Sequence, residues 1–168
     1  MEKMSDERLL SHLDAAHNLA RWLMGNPADA EDVVQEAYLS ALTGTSRFRG
    51  GDERAWLFAI VRNRCYSSHR RQRVRQAADF DETRHSDPAA TPSPEQLAIE
   101  GDTSRRVQLA VEGLALEFRE VIVLREFEGL SYKEIADVVG VPIGTVMSRL
   151  SRARAQLQAT LALEEGRP

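Results

Sequence analysis

Apolar residues recur at three- and four-residue spacing along most of the chain, and no stretch keeps strand-like alternation between turn residues. The pattern predicts an all-α protein. A first helix is expected over 6–24, where Leu9, Leu13, Ala16, Leu19, Ala20 and Leu23 form one stripe and Gly25 supplies the stop. Asn26 is placed to cap a second helix with Pro27 at its first position. Asp29, Glu31 and Asp32 then favour the positive end of its dipole, and the helix should run to about Leu42. A loop over 44–52 leads into a long helix over 53–73 with Trp56, Leu57, Ile60, Val61 and Cys65 on its apolar stripe. Periodicity lapses over 74–91, acids gather, and Pro88, Pro92 and Pro94 interrupt any helix, which reads as a flexible linker. Ser93, Pro94 and Gln96 restart a helix that continues, with a break at Gly101, to about Gly113. Another is expected over 116–128, with Phe118, Val121, Ile122, Leu124 and Phe127 apolar. The result is two small helical domains, 1–75 and 93–168, joined by a linker at 76–92. Each is small enough to be only marginally stable alone.

The most informative segment is 130–157, LSYKEIADVVGVPIGTVMSRLSRARAQL. Ser131 and Glu134 have the spacing of a reciprocal capping box. Gly140 supplies a left-handed stop, Val141 can plug the corner, and Pro142 presets the backbone for the next helix. Val146, Leu150, Ala153 and Leu157 then face inward, leaving Met147, Ser148, Arg149, Ser151 and Arg152 outward or at the margin. Arg149, Arg152 and Arg154 meet no acid within the second helix between Ile143 and Leu157. A helix, a glycine turn and a cationic second helix match the unit that lays a recognition helix in the major groove. The segment therefore predicts a DNA-binding helix-turn-helix.

Composition changes this picture only through the distribution of charge. The net charge of −4 over 168 residues would argue against a nucleic-acid partner if evenly spread. It is blocked instead: 47–75 holds nine Arg against Asp52 and Glu53, while 1–46 and 76–102 are acidic and 103–168 is balanced. Two cationic surfaces follow, the 47–75 block and the second helix of the helix-turn-helix, and a polyanion could engage both. No apolar run approaches a membrane span and Met1 to Leu10 is charged, so no membrane insertion and a cytoplasmic location are expected. Cys65 has no second thiol to pair with, and His12, His17, His69 and His85 do not form a ligand pattern, so neither a metal nor a cofactor is expected.

Four blocks in register, DAEDVVQEAYLSAL at 29–42, FRGG at 48–51, AWLFAIVRNRC at 55–65 and GLSYKEIADVVGVPIGTVMSRLSRARAQL at 129–157, resemble bacterial RNA polymerase sigma factors of the extracytoplasmic-function (ECF) group, which are sigma-70-like. The resemblance implies an alternative sigma factor with no reaction of its own. Its first domain would dock on core RNA polymerase and hold the minus-ten promoter element as a single strand. Its second would read the minus-thirty-five element as duplex, and an anti-sigma factor would be a further partner. Asp29, Asp32, Gln35 and Glu36 correspond to the family's polymerase-contact block. For the minus-ten element the resemblance points to Phe48, Arg49, Arg62, Asn63, Arg64, Tyr66, Arg70 and Arg71. Aromatic faces, an amide and phosphate-binding Arg are what holding an unstacked base requires. Trp56 lies among them but on the apolar stripe, which favours a core role.

For the minus-thirty-five element it points to Thr145, Met147, Ser148, Arg149, Ser151, Arg152 and Arg154, with Arg suited to a bidentate pair with guanine and Arg154 better placed for phosphate. Met147 stands where the family often has a basic residue, offering apolar contact to a thymine methyl instead. Ala115 stands where it often has proline, which loosens a turn. The competing reading is a stand-alone helix-turn-helix repressor or activator whose first domain senses or dimerises. That reading leaves DAEDVVQEAY and the Arg-aromatic block without a role.

Overall fold

The computed structural model describes residues 5–44, 48–78 and 101–166. These form eight α-helices, and among the described residues there is no strand. They are α1 (Asp6–Leu10), α2 (Leu13–Met24), α3 (Pro27–Thr43), α4 (Glu53–Ala78), α5 (Asp102–Glu112), α6 (Leu116–Ile122), α7 (Tyr132–Val139) and α8 (Ile143–Glu165). The expected linker and the restart at Ser93 fall largely outside the described residues, although α4 runs to Ala78, into the stretch expected as linker.

Local chemistry explains most helix ends. Asn26 Oδ1 accepts from the amides of Ala28 and Asp29, with Pro27 at the start of α3. Gly25 closes α2 in the left-handed region at φ 73°. The single helix expected over 6–24 is broken: the Ser11 hydroxyl donates to the Arg8 carbonyl at 2.6 Å, competing with the helical pattern, and the His12 amide bonds back only three residues to Leu9. The helix expected over 116–128 also changes character. Val123–Phe127 winds as a π-helix, and the Glu128 amide reaches the Val123 carbonyl at 3.1 Å.

The helix-turn-helix forms as the sequence implies. Ser131 accepts from the Glu134 amide at 3.1 Å while Glu134 accepts from the Ser131 amide at 2.7 Å. Gly140 ends α7 at φ 77°, and Val146, Leu150 and Ala153 of α8 are buried. A methyl added at Gly140 would meet nothing within 4 Å, so only the backbone penalises it. Gly140→Ala is expected to lower stability by about 1–2 kcal/mol through its left-handed backbone. Urea unfolding reads this directly, and an unchanged midpoint would mean that the turn relaxes to another geometry.

α2, α3 and α4 pack on one another around Leu19, Leu23, Val33, Val34, Ala37, Phe58, Val61 and Cys65. Phe58, absent from the expected stripe, is fully buried there. α8 packs on both α6 and α7 around Val121, Ile122, Leu124, Ile135, Val146 and Leu150. The two groups touch: α2 packs on α6 and α4 on α7, so their buried side chains form one continuous cluster. The seam includes a Trp22–Phe127 stack with ring centroids 5.2 Å apart, and Arg119 donates to the Trp22 carbonyl at 3.0 Å. Cys65 is buried, and burial, reinforced by nearby Glu120, pushes its thiol up to about 12.

Candidate nucleic-acid interface

α8 carries the candidate duplex reader. Buried Val146, Leu150 and Ala153 fix the helix rotation, so Met147, Ser148, Ser151 and Arg152 are exposed together, with Met147 at 52%. Thr145 sits half-buried at the first turn, and its carbonyl accepts from the Ser148 hydroxyl at 3.1 Å. Arg152 makes no ion pair among the described residues. The acids missing from the sequence around the α8 arginines are supplied by tertiary structure. Arg154 pairs with Glu126 at 2.8 Å, and Arg149 lies 3.9 Å from Glu117 and 4.0 Å from Glu120. The helix itself holds no acid between Ile143 and Leu157, and the acids near Arg149 and Arg154 come from outside it.

α4 carries the second cationic surface. Arg49, Asn63, Arg70 and Arg71 are exposed, and Arg64 donates to the Ser40 hydroxyl. Phe48 is not available for stacking on a base. It is only 9% exposed, set edge-on against Trp56 with centroids 5.5 Å apart, so both aromatics serve packing as Trp56 was expected to. Arg62 is also turned inward. Its Nε donates to Glu120 Oε2 at 2.9 Å and its Nη2 to Oε1 at 3.3 Å. Its guanidinium lies 3.8 Å from the centre of the Tyr66 ring, a cation–π contact. Burial weakens the Arg62 cation, but the Glu120 hydrogen bond and charge outweigh it and raise its pKa. Among the described residues the buried Tyr66 hydroxyl has no hydrogen-bond partner, and burial next to Glu120 pushes the phenol above its ordinary range.

The α3 acids are less isolated than the sequence suggests. Asp32, Gln35 and Glu36 are exposed and Asp29 is half-buried, yet Glu36 lies 3.9 Å from both Arg64 and Arg71. Gln72 donates to Asp29 at 3.4 Å. This face is therefore acidic at α3 and cationic where α4 borders it. Between the two helix groups, a cleft of about 500 Å³ is lined by Gly50, Gly51, Asp52 and Trp56 on one side and Lys133, Glu134 and Asp137 on the other.

With this geometry in place, the comparisons with known proteins decide the family. Residues 9–75 match the model of Sigma-70 region 2, and residues 104–157 match that of Sigma-70 region 4. The ECF RNA polymerase sigma factor EcfG of Rhodopseudomonas palustris is 34% identical over 93% of this chain and 84% of its own length. The chain belongs to the ECF sigma factors. ECF sigma factor SigE of Mycolicibacterium smegmatis is 38% identical over 94% of the chain, which spans 61% of that relative's length. Among solved structures, the sigma factor RpoE of Bartonella quintana, in complex with the anti-sigma factor NepR, is similar at TM-score 0.76 and 34% identity. That match covers 93% of this chain and 95% of the other. CnrH, in complex with the cytosolic domain of CnrY, is similar at TM-score 0.65 and 28% identity over 94% and 87% of the two chains.

Within this ECF member, region 2 comprises most of α1 to α4 and region 4 most of α5 to α8. The contacts that sequence reasoning missed lie between them. Fully buried Glu120 meets Arg62 across the seam, besides Arg149 within region 4, and Arg54 lies 3.9 Å from Glu128 across it. A signal for Glu120 was present, because it falls four residues before Leu124 and seven before Phe127 on an otherwise apolar register. No helix of the described residues is long and apolar enough to cross a membrane.

Proposed function

We propose that this chain is an alternative sigma factor that binds core RNA polymerase and directs promoter recognition, opening and transcription initiation. The observation that carries the reading is the exposed face of α8, with Met147, Ser148, Ser151 and Arg152 held outward by a capped and buried helix-turn-helix, alongside exposed Arg49, Arg70 and Arg71 near α4. The α8 face enters the major groove at the minus-thirty-five element. Thr145 and Ser148 steady the docking, and Met147 contacts a thymine methyl. Arg149 and Arg154 join this face once freed from their acids. On α4, Asn63 reads an unstacked base of the minus-ten element, while Arg62, Arg64, Arg70 and Arg71 follow the strand's phosphates.

Asp29, Asp32, Gln35 and Glu36 form the docking surface for the polymerase. Recognition and strand separation require binding energy and no covalent step in this chain, so it acts without enzymatic activity or cofactor, in the cytoplasm where polymerase and DNA meet. An anti-sigma factor is its regulatory partner; the similar Bartonella quintana sigma factor is in complex with one.

Run-off transcription with core polymerase and a promoter library tests this reading. Transcripts from a shared promoter pattern, absent without the chain, are the expected result. Tight binding to a symmetric operator with no transcript would replace the reading with a stand-alone repressor.

A further inference from the structure

We propose that a pocket at the C-terminal end of α2 is a binding site for a small phosphorylated molecule, a nucleoside di- or triphosphate. None of its lining residues is assigned above to DNA or to polymerase.

The pocket holds about 350 Å³, inside the span of roughly 300–1,000 Å³ usual for small-molecule sites. Buried Leu23 and Met24 with half-buried Leu116 supply an apolar wall suited to the face of a base. His69, Arg73 and Gln76 line it at helical spacing along α4, and Arg119 joins them from α6. Among the described residues no carboxylate lines it.

The balance of charge points to an anion. Arg119 is half-buried, and its hydrogen bonds go to backbone: Nη1 donates to the Trp22 carbonyl at 3.0 Å, and Nη2 to those of Glu112 and Leu114 at 2.8 and 2.9 Å. It makes no ion pair among the described residues, and its buried Nε has no partner among them. Burial lowers its pKa despite the charge of Glu112. A guanidinium withdrawn from water with no carboxylate against it is under-compensated, and a phosphate alongside would correct that. Arg73 is exposed, also without an ion pair among the described residues, and carries the planar fork that grips phosphate oxygens. The C-terminal end of a helix would by itself repel an anion. Here the Trp22 carbonyl is taken by Arg119, and the Leu23 carbonyl lies 2.7 Å from His69 Nε2, so donors cover that end of α2.

Isothermal titration calorimetry of the full chain with ATP and GTP tests the site, with adenosine and inorganic triphosphate standing for the two halves of the ligand. At least one nucleotide should bind with a dissociation constant below about 1 mM, and more tightly than either half. Arg73→Gln should weaken that binding roughly tenfold, the scale of one charge-assisted contact, with circular dichroism confirming helical content. Arg75→Gln removes an equal charge from α4 outside this pocket and should leave binding unchanged. No binding of either nucleotide overturns the proposal. So does an equal loss in the two variants, which would mean diffuse attraction to a cationic helix. Inorganic triphosphate binding as tightly as ATP overturns the nucleotide assignment. A short single-stranded oligonucleotide that binds through Arg73 where both nucleotides fail would give the pocket to a nucleic-acid backbone and overturn the small-molecule reading. None of these outcomes depends on whether the chain directs transcription.

Discussion

Phe58→Ala should destabilise the protein by about 3–5 kcal/mol, the range for emptying a buried aromatic site. Phe58 is 0% exposed and stands in the α4 core with Leu57, Val61 and Cys65, while the Arg54 guanidinium lies 5.7 Å from its ring centre. Small domains have only about 5–15 kcal/mol to lose, so region 2 should unfold partly at ambient temperature. Calorimetry or urea unfolding provides the measurement. A loss below about 1 kcal/mol would show that α3 and α4 collapse into the space, against the close packing seen around Ala37, Val34 and Val61.

Arg152→Ala should weaken minus-thirty-five binding by roughly 1–3 kcal/mol, with the loss concentrated at one base pair, if its guanidinium pairs with a guanine edge. Stability should hardly change, because Arg152 is exposed and makes no ion pair among the described residues. The informative measurement is a panel of single-base-pair substitutions bound by wild type and variant. A uniform loss on every sequence would reduce Arg152 to a phosphate contact. Arg149 differs, because it already lies near Glu117 and Glu120, so its substitution would alter ion pairing within region 4 as well as any binding.

The local half of the architecture was legible because single residues encode it. Ser131 with Glu134, Gly140, Asn26 with Pro27 and Gly25 each act within a few residues of themselves, and each does in three dimensions what its type dictates. What lay beyond sequence reasoning involves partners far apart. The Arg62 fork closes on a residue 58 positions away, and the Trp22–Phe127 stack joins regions read as tethered. Periodicity reports that a face is buried, never against what, so α4 could show a stripe without revealing that α7 and Glu120 cover part of its cationic side. Phe48 illustrates the same limit. An aromatic between two arginines fits a base-stacking role, but the Trp56 edge claims it first.

The placement of Cys65 bears on how any external stimulus reaches this chain. It is the sole cysteine of the sequence, lies in the interior of α4's packing, and holds its proton up to about 12. Thiols react with oxidants and alkylating agents as thiolates, a form nearly absent here at neutral pH. Oxidation or alkylation at this thiol is therefore disfavoured in the folded factor. The same inertness leaves a cysteine introduced on the outer face of α8 as the only readily labelled position, a silent background for spectroscopy on the native chain.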